Sequence, residues 1–130
     1  MMERVGKAIR VEFCGEKRLF LYSLRVARDV MQRTDAEAEN GGDEIGDTAF
    51  VAHRMMEAGA RYAKANGYEN PEPLTEEQVL DLCDMEDYGI IAEIIKTATR
   101  IGKKTEIAAV DGDGGENGEE KNAQGAKPEN

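Results

Sequence analysis

The sequence has no tryptophan, and aromatic residues make up only 5% of its 130 residues. Its uninterrupted apolar runs are only a few residues long, whereas a membrane-spanning helix needs about 20 apolar residues. The first ten residues, MMERVGKAIR, contain no apolar segment of the kind found in secretory signals. These absences argue against a membrane protein and predict a chain that stays in the cytoplasm where it is made.

Cysteine and histidine are scarce, with Cys14, Cys83 and His53 as the complete set. No CxxC pair or Cys/His cluster accompanies them, and structural disulfides are rare in cytosolic proteins. We therefore predict two reduced thiols, with a bridge between Cys14 and Cys83 as the alternative. The helical neighbours of His53 include Arg54 and Glu57, which indicates a solvent-exposed histidine and not a metal ligand or an acid–base catalyst.

Motifs of the common enzyme classes are also missing, since the chain has no GxGxxG, phosphate-binding loop, nucleophile elbow or HExxH. Several acids between Glu76 and Asp87 could pair as hydrolytic carboxylates, but acids at helix starts are what the helix dipole favours. Asp111 and Asp113 match the start of a calcium loop, but Glu116 replaces the glycine of its sharp turn. We predict no catalytic, cofactor-binding or metal site, and no enzyme activity.

Acidic residues outnumber basic ones, 27 against 17, for a formal net charge of −10. This charge repels nucleic-acid backbones and anionic membranes, so we expect neither as a partner. An apolar fraction of 40% suffices for one modest core. The C-terminal residues are rich in Gly and Glu and cannot bury enough apolar surface to become ordered. We predict a helical domain with an N-terminal hairpin over residues 1–108 and a disordered acidic tail over 109–130.

The N-terminal third shows two different periodicities. Apolar residues alternate with others from Ile9 to Phe13, a turn follows, and residues 18–21 can return as a second strand, so we predict a short β-hairpin. From Ser23 to about Thr34 the spacing becomes helical, with Leu24, Ala27, Val30 and Met31 on the apolar face.

The rest of the chain predicts three more helices. After a polar loop from Asp35 to Gly46, Asp47 or Thr48 caps a second helix that ends at Asn66-Gly67. Gly59 lies on its apolar face, which suggests that another backbone approaches closely there.

Thr75 and Gln78 form the capping box of a third helix, which buries Val79, Leu80 and either Leu82 or Cys83. A break near residues 84–86 precedes a fourth helix that closes at Gly102. The predicted fold class is α+β and mostly α: a short N-terminal β-hairpin, about four helices and a disordered acidic C-terminal tail.

The second helix reads TAFVAHRMMEAGARY, and the chain continues after a linker as LTEEQVLDLCDMEDYGIIAEIIKTATRIGKK. The first stretch holds an apolar-Ala-Gly segment at residues 55–59. The second has a Leu-Thr-x-Glu-x-Val start at residues 74–79, followed by Asp-Leu and an aspartate-rich break. Together with the strand-like start and the charged tail, this order resembles the tail assembly chaperones of long-tailed bacteriophages and prophages, over roughly Leu19 to Lys104.

The resemblance implies a non-enzymatic chaperone that binds the tape measure protein and assists assembly of the tail tube. The partners implied are the tape measure protein, the tail tube protein, a frameshift-extended form of this chain and further copies of itself. It implies action in the host bacterial cytoplasm during assembly and absence from the mature virion. The candidate partner-binding residues are apolar residues of helices two and four: Met55, Met56, Ile90, Ile91, Ile94 and Ile95.

A different class of function fits the same composition. A small acidic phage or prophage interaction protein, such as an inhibitor that mimics nucleic acid, would also carry a strong negative charge. Such a mimic needs a continuous acidic face, whereas basic residues such as Arg54, Arg61 and Lys64 interrupt the acids here. We therefore expect the chaperone and keep the mimic as the alternative.

Overall fold

The computed structural model describes residues 2–111, with side chains described through residue 101. It separates into two units, Met1–Thr99 and Arg100–Asn130. The predicted class, α+β and mostly helical, is confirmed. The elements are β1 (Met2–Val5), β2 (Ala8–Phe13), β3 (Glu16–Phe20), α1 (Leu24–Asn40), α2 (Glu44–Asn66), α3 (Glu76–Leu82) and α4 (Met85–Asp111).

The strands form one antiparallel sheet in the order β1-β2-β3. The predicted hairpin corresponds to β2 and β3, in which Ile9 pairs with Phe20. Strand β1 is an addition that the sequence analysis missed, and it pairs Met2 with Val11. Its residues MERV have two charges between two half-buried ends, so they lack the apolar alternation that marks a strand.

Helix α2 packs closely against β3. A Cβ atom on Gly59 would collide with the carbonyl oxygen of Leu19, which confirms the predicted close backbone approach. The Leu21 N–H donates to the Met55 carbonyl at 3.1 Å. Because α2 and the strand touch through their backbones, this side of the core leaves no space for a larger residue at position 59.

The segment between α2 and α3 covers the outer edge of β3. The Leu19 N–H donates to the Asn70 side-chain oxygen at 2.9 Å, in place of a neighbouring strand. Arg18 is 4% exposed, and its guanidinium donates to the carbonyls of Phe13 at 3.0 Å and Glu72 at 2.8 Å. These bonds satisfy an edge that would otherwise be open to pairing with another chain.

The predicted loop from Asp35 to Gly46 is wrong, because α1 continues to Asn40 and α2 begins at Glu44. Alanine and glutamate, which fill residues 36–39, are good helix formers, and Arg33 pairs with Glu37 one turn later at 3.5 Å. Gly41, with φ 86°, ends α1.

The predicted caps of α2 are also wrong, because Asp43 takes the N-cap position. Thr48 lies inside the helix and donates to the Glu44 carbonyl at 3.0 Å. Asp47 is directed to α1, where it pairs with Arg33.

Other helix ends follow the predictions. Gly67, with φ 75°, gives α2 its left-handed stop. The Thr75 hydroxyl accepts from the Gln78 N–H at 3.1 Å while the Gln78 side chain accepts from the Thr75 N–H at 2.8 Å. Asp84 and Asp87 make the same reciprocal exchange before α4, at 3.0 and 3.1 Å, so these two acids are caps as expected.

Helix α4 does not close at Gly102 as predicted but continues to Asp111. A single glycine inside a helix costs only about 1 kcal/mol, so it does not have to end one. Residues 109–111 of the predicted tail belong to this helix, and the rest of the tail, 112–130, lies outside the described residues. Among the described helices, none has a stretch long and apolar enough to cross a bilayer.

Candidate partner-binding groove

Most of the six residues predicted to bind a partner lie in the core. Met55, Met56 and Ile94 are at most 1% exposed and Ile91 is 3% exposed, whereas Ile90 and Ile95 are half-buried. In this fold the four buried side chains pack against the chain itself, which leaves Ile90 and Ile95 as the two of the six candidates that are partly accessible. The periodic apolar pattern of helices two and four was strong because these faces form the core.

A different set of apolar side chains is exposed. In the described part of the chain the large ones are Leu24, Met31, Ile45, Tyr68, Leu80, Leu82 and Met85. The predicted burial of Leu80 is therefore wrong, since it is 41% exposed. Of the two alternatives predicted beside it, Leu82 is exposed and Cys83 is half-buried. Leu24 and Met31, predicted on the apolar face of the first helix, are exposed as well. Helical spacing predicts which residues share a face, but it does not show whether another element covers that face.

Three of these side chains converge on one groove. Ile45 at the start of α2, Leu80 of α3 and Met85 at the start of α4 line a space of about 370 Å³. Ala49, Val79 and other residues complete the lining, which is mainly apolar. We call this space the Leu80 groove; its lining residues are Ile45, Thr48, Ala49, Val79, Leu80, Cys83, Asp84, Met85, Tyr88 and Ile91.

Two polar connections hold the walls of the Leu80 groove. The Tyr88 hydroxyl donates to a Glu44 carboxylate oxygen at 3.0 Å, which links the start of α4 to the start of α2. The exchange between Asp84 and Asp87 positions the first turn of α4 directly after α3. Val79 and Ile91, both 3% exposed, belong at once to the groove lining and to the core.

The groove lies in a strongly acidic part of the chain. Residues 76–95 contain seven acids and no lysine or arginine: Glu76, Glu77, Asp81, Asp84, Glu86, Asp87 and Glu93. Among the described lining residues, Asp84 alone carries a charged side chain. Hydrogen bonding from the Asp87 N–H lowers the pKa of Asp84, so its carboxylate is ionised at neutral pH. The Leu80 groove therefore combines an apolar lining with one ionised carboxylate, that of Asp84.

The groove wall also contains one of the two cysteines. Cys83 lies 3.6 Å from Cys14, sulfur to sulfur, although 69 positions separate them. Both are free thiols, as predicted. Burial of the thiol, its contact with Cys14 and the nearby carboxylates of Asp87 and Asp84 raise the pKa of Cys83 to about 12. Sequence analysis could not find this proximity, because neither cysteine lies in a motif that relates it to the other.

His53 is not on the solvated face, which corrects the prediction. Its side chain is only 17% exposed and lies 3.5 Å from the Glu57 carboxylate. Nδ1 lies 2.8 Å from the Leu74 carbonyl, which can only accept, so this nitrogen is the donor. His53 thus fastens α2 to the segment that leads into α3. Within the described residues, no cluster of three or more His, Cys, Asp or Glu side chains is arranged to hold a metal ion.

Comparison of the chain with protein-family models, with curated proteins and with solved structures finds no match in any of the three.

Proposed function

We propose that this chain is a tail assembly chaperone that holds helical segments of a phage tape measure protein in the Leu80 groove. The observation that carries the proposal is the convergence of three exposed apolar side chains, Ile45, Leu80 and Met85, on a groove whose lining also holds the ionised carboxylate of Asp84. The resemblance of the sequence to phage tail assembly chaperones supports the client class.

The occupant that fits this groove is an amphipathic helix. A helix places apolar side chains at i, i+3, i+4 and i+7 on one face, and a groove of about 370 Å³ has room for a few of them. Lysine or arginine beside that face would lie near the carboxylate of Asp84 in the groove lining. Opposite charges would speed the encounter and select basic helices over acidic ones.

The proposed role places the chain in the host bacterial cytoplasm while the tail is built. There it would keep the long helical client from aggregating until tail tube subunits assemble around it, and it would not remain in the mature virion. A frameshift-extended form of the same chain and a homo-oligomer are the further partners in this proposal.

The first experiment measures binding of a synthetic helix. The probe is a fluorescent peptide with leucines at i, i+3, i+4 and i+7 and lysines flanking that face, and its control has glutamates in place of the lysines. We expect the full chain to bind the lysine peptide at least about tenfold more tightly than the glutamate peptide. Equal affinities, or no binding of either peptide, would contradict a groove built for basic helices.

Matched variants locate the binding site. Leu80→Ala removes a groove side chain that is 41% exposed, and Leu82→Ala removes the same side chain type from the same helix but outside the groove lining. We expect Leu80→Ala to weaken peptide binding about tenfold and Leu82→Ala to leave it nearly unchanged. If both variants, or neither, lose affinity, the peptide is not held by the Leu80 groove.

The client is tested in cells by co-expression with a phage tape measure protein from a long, helical open reading frame encoded beside this chain. We expect the soluble yield of that protein to rise with wild-type chain and with Leu82→Ala, and to rise less with Leu80→Ala. Unchanged client solubility in the presence of wild-type chain would reject the chaperone role even if the peptide binds.

One observation favours the second candidate, a nucleic-acid mimic: residues 76–95 contain seven acids and no lysine or arginine. A mimic would bind a basic DNA-binding protein through charge, so its affinity would fall steeply with salt and would not depend on Leu80. A helix-binding groove predicts that loss of the Leu80 side chain weakens binding more than high salt does. The affinity of the lysine peptide for wild type and Leu80→Ala at low and high salt therefore distinguishes the two functions.

A further inference from the structure

The fold brings together two cysteines from separate elements. Cys14 lies in the turn between β2 and β3, and Cys83 ends α3 just before α4 begins. Their sulfur atoms are 3.6 Å apart. A disulfide bond is about 2.05 Å long, so the two sulfurs need to approach by only about 1.5 Å to form one.

We propose that Cys14 and Cys83 are a thiol-disulfide exchange site that closes to an intrachain bridge when it meets a small disulfide of the glutathione class. The inference rests on the geometry of the two thiols and does not depend on the proposed chaperone role.

The exchange is balanced without any other reactant. One cysteine thiolate attacks a sulfur of glutathione disulfide, forms a mixed disulfide and releases one glutathione thiolate. The second cysteine thiolate then attacks the protein sulfur of that mixed disulfide and releases the second glutathione. The two cysteine protons end on the two glutathione thiols, so the protein is oxidised by two electrons and the glutathione disulfide is reduced by two.

The surroundings of both residues allow the small movement that closure requires. Cys14 has φ 52° and is followed by Gly15, with φ 83° and no neighbouring atom within 4 Å of the position a Cβ would take. Cys83 has extended backbone angles, φ −98° and ψ 142°, outside the helical hydrogen-bond ladder of α4. Both side chains are partly accessible, so an oxidant can reach them. The turn can therefore shift without displacing a strand.

The surroundings of Cys83 favour its protonated thiol. The groups that face Cys83 are Cys14 from the sheet and the carboxylates of Asp84 and Asp87 from the start of α4. Partial burial, the contact with Cys14 and these two acids disfavour the Cys83 thiolate, and only a thiolate attacks a disulfide, so attack by Cys83 is slow at neutral pH. The bridge would tie the sheet to the junction of α3 and α4, and Cys83 would bring one wall of the Leu80 groove into that link.

The test is equilibration of the full chain with mixtures of reduced and oxidised glutathione, in native buffer and in urea. After acid quenching and alkylation of free thiols, mass spectrometry counts bridged chains and peptide mapping identifies the linked cysteines. We expect a native species that has lost two hydrogen atoms, with the Cys14 and Cys83 peptides joined within one chain. The equilibrium constant for bridging should be at least about tenfold larger in the native state than in urea, because the fold has already closed the intervening loop.

The variants Cys14→Ser and Cys83→Ser are the matched controls. Each should retain the circular dichroism of the wild type and take up one glutathione on the remaining cysteine, with no intrachain bridge. Should a variant fail to fold, the comparison of wild-type chain in native buffer and in urea decides by itself. Native bridging no stronger than in urea, separate glutathione adducts on both cysteines, or disulfide-linked dimers as the main product would overturn the proposal.

Discussion

The two halves of α2 pack in different ways. The C-terminal half lies against β3 with direct backbone contact, as Gly59 touches the Leu19 carbonyl and Met55 accepts a hydrogen bond from Leu21. The N-terminal half meets α1 through charged groups. There Arg33 of α1 pairs with Asp47 of α2 at 2.6 Å, and its guanidinium group lies 4.6 Å from the ring centre of Phe50. The guanidinium group of Arg54, which belongs to α2 itself, lies 4.8 Å from the same ring centre.

This difference between the two halves of α2 bears on the surface that is proposed to bind a partner. The contact between the C-terminal half of α2 and β3 is made by backbone atoms and has no adjustable side chain in it, so the helix face toward the strand leaves no room for a partner. Around the N-terminal half the contacts are made by side chains, and the side facing α3 and α4 is left open as the Leu80 groove. The sheet and the end of α2 are thus joined by backbone contact, while the start of α2 with α3 and α4 lines the groove that is proposed to bind a client.

The largest effect should follow from disturbing the closed half. Gly59→Ala places a methyl group against the Leu19 backbone, and we expect it to lower the free energy of unfolding by about 3 kcal/mol. Gly89→Ala is the control, because nothing lies within 4 Å of its added Cβ and alanine favours a helix, so stability should rise by about 1 kcal/mol. Urea denaturation followed by circular dichroism measures both; similar effects of the two substitutions would mean that no close contact exists at Gly59.

A smaller effect should follow on the open side from the capping box of α3. Thr75→Ala removes the acceptor of the Gln78 N–H, and we expect a loss of about 1 kcal/mol. Thr99→Ala is the control, because its hydroxyl only donates to carbonyls within α4 and alanine is the better helix former. The same denaturation experiment applies. Equal losses from both substitutions would show that the cap contributes nothing specific to α3.

The contact between α1 and α2 should depend on acid. Asp47→Asn removes the ion pair with Arg33, and we expect a loss below about 1 kcal/mol at neutral pH because the pair is partly exposed. Hydrogen bonds from Glu37 and Arg33 lower the pKa of Asp47, so the folded state favours its ionised form. The stabilisation is therefore present at neutral pH and lost as the pH falls through the lowered pKa.

The measurement for Asp47 is the difference in unfolding free energy between wild type and Asp47→Asn from neutral to acidic pH. Titration of the other carboxyl groups is largely shared by the two proteins and cancels in that difference. If the difference in unfolding free energy does not shrink as the pH falls, the Asp47 carboxylate does not stabilise the α1–α2 contact.

The last prediction concerns the thiol in the groove wall, whose effect on stability is confined to alkaline pH. The pKa of Cys83 is raised from 9.0 to about 12 by burial, Cys14, Asp87 and Asp84, so between these values the folded chain keeps a proton that the unfolded chain loses. Stability should consequently fall as the pH rises from 9 towards 12. With a reductant present, the advantage of wild type over Cys83→Ala should shrink above pH 9, and an advantage that stays constant with pH would exclude this linkage.

The helix caps show which parts of the fold could be predicted from sequence. Thr75 with Gln78 and Asn66 with Gly67 act within one helical turn, so their positions along the chain already contain the interaction. The predicted loop after Thr34 failed because the polar residues there were interpreted as loop-forming, whereas the Arg33–Glu37 pair and neighbouring alanines favour helix. Strand β1 was missed because pairing with β2, and not its own composition, makes it a strand.

The Leu80 groove was harder to predict from the sequence than the fold. Helical spacing correctly placed Met55, Met56, Ile91 and Ile94 on apolar helix faces. Those faces are buried in the core, so the four side chains are not accessible to a partner. The exposed apolar residues around Leu80 could not be identified, because exposure depends on which elements lie opposite, and those elements are distant in sequence.

By itself, then, the sequence determined the helical character, three of the helix boundaries marked by local caps, the place of Gly59 on the apolar face of its helix and the net negative charge. Each of these depends on residues a few positions apart or on composition alone. The tertiary structure decided that Ile45, Leu80 and Met85 share one groove, that His53 is bound to Leu74, and that Cys14 lies beside Cys83. These are contacts between residues that are far apart in the chain, and they exist only after the sheet, α2, α3 and α4 have packed together.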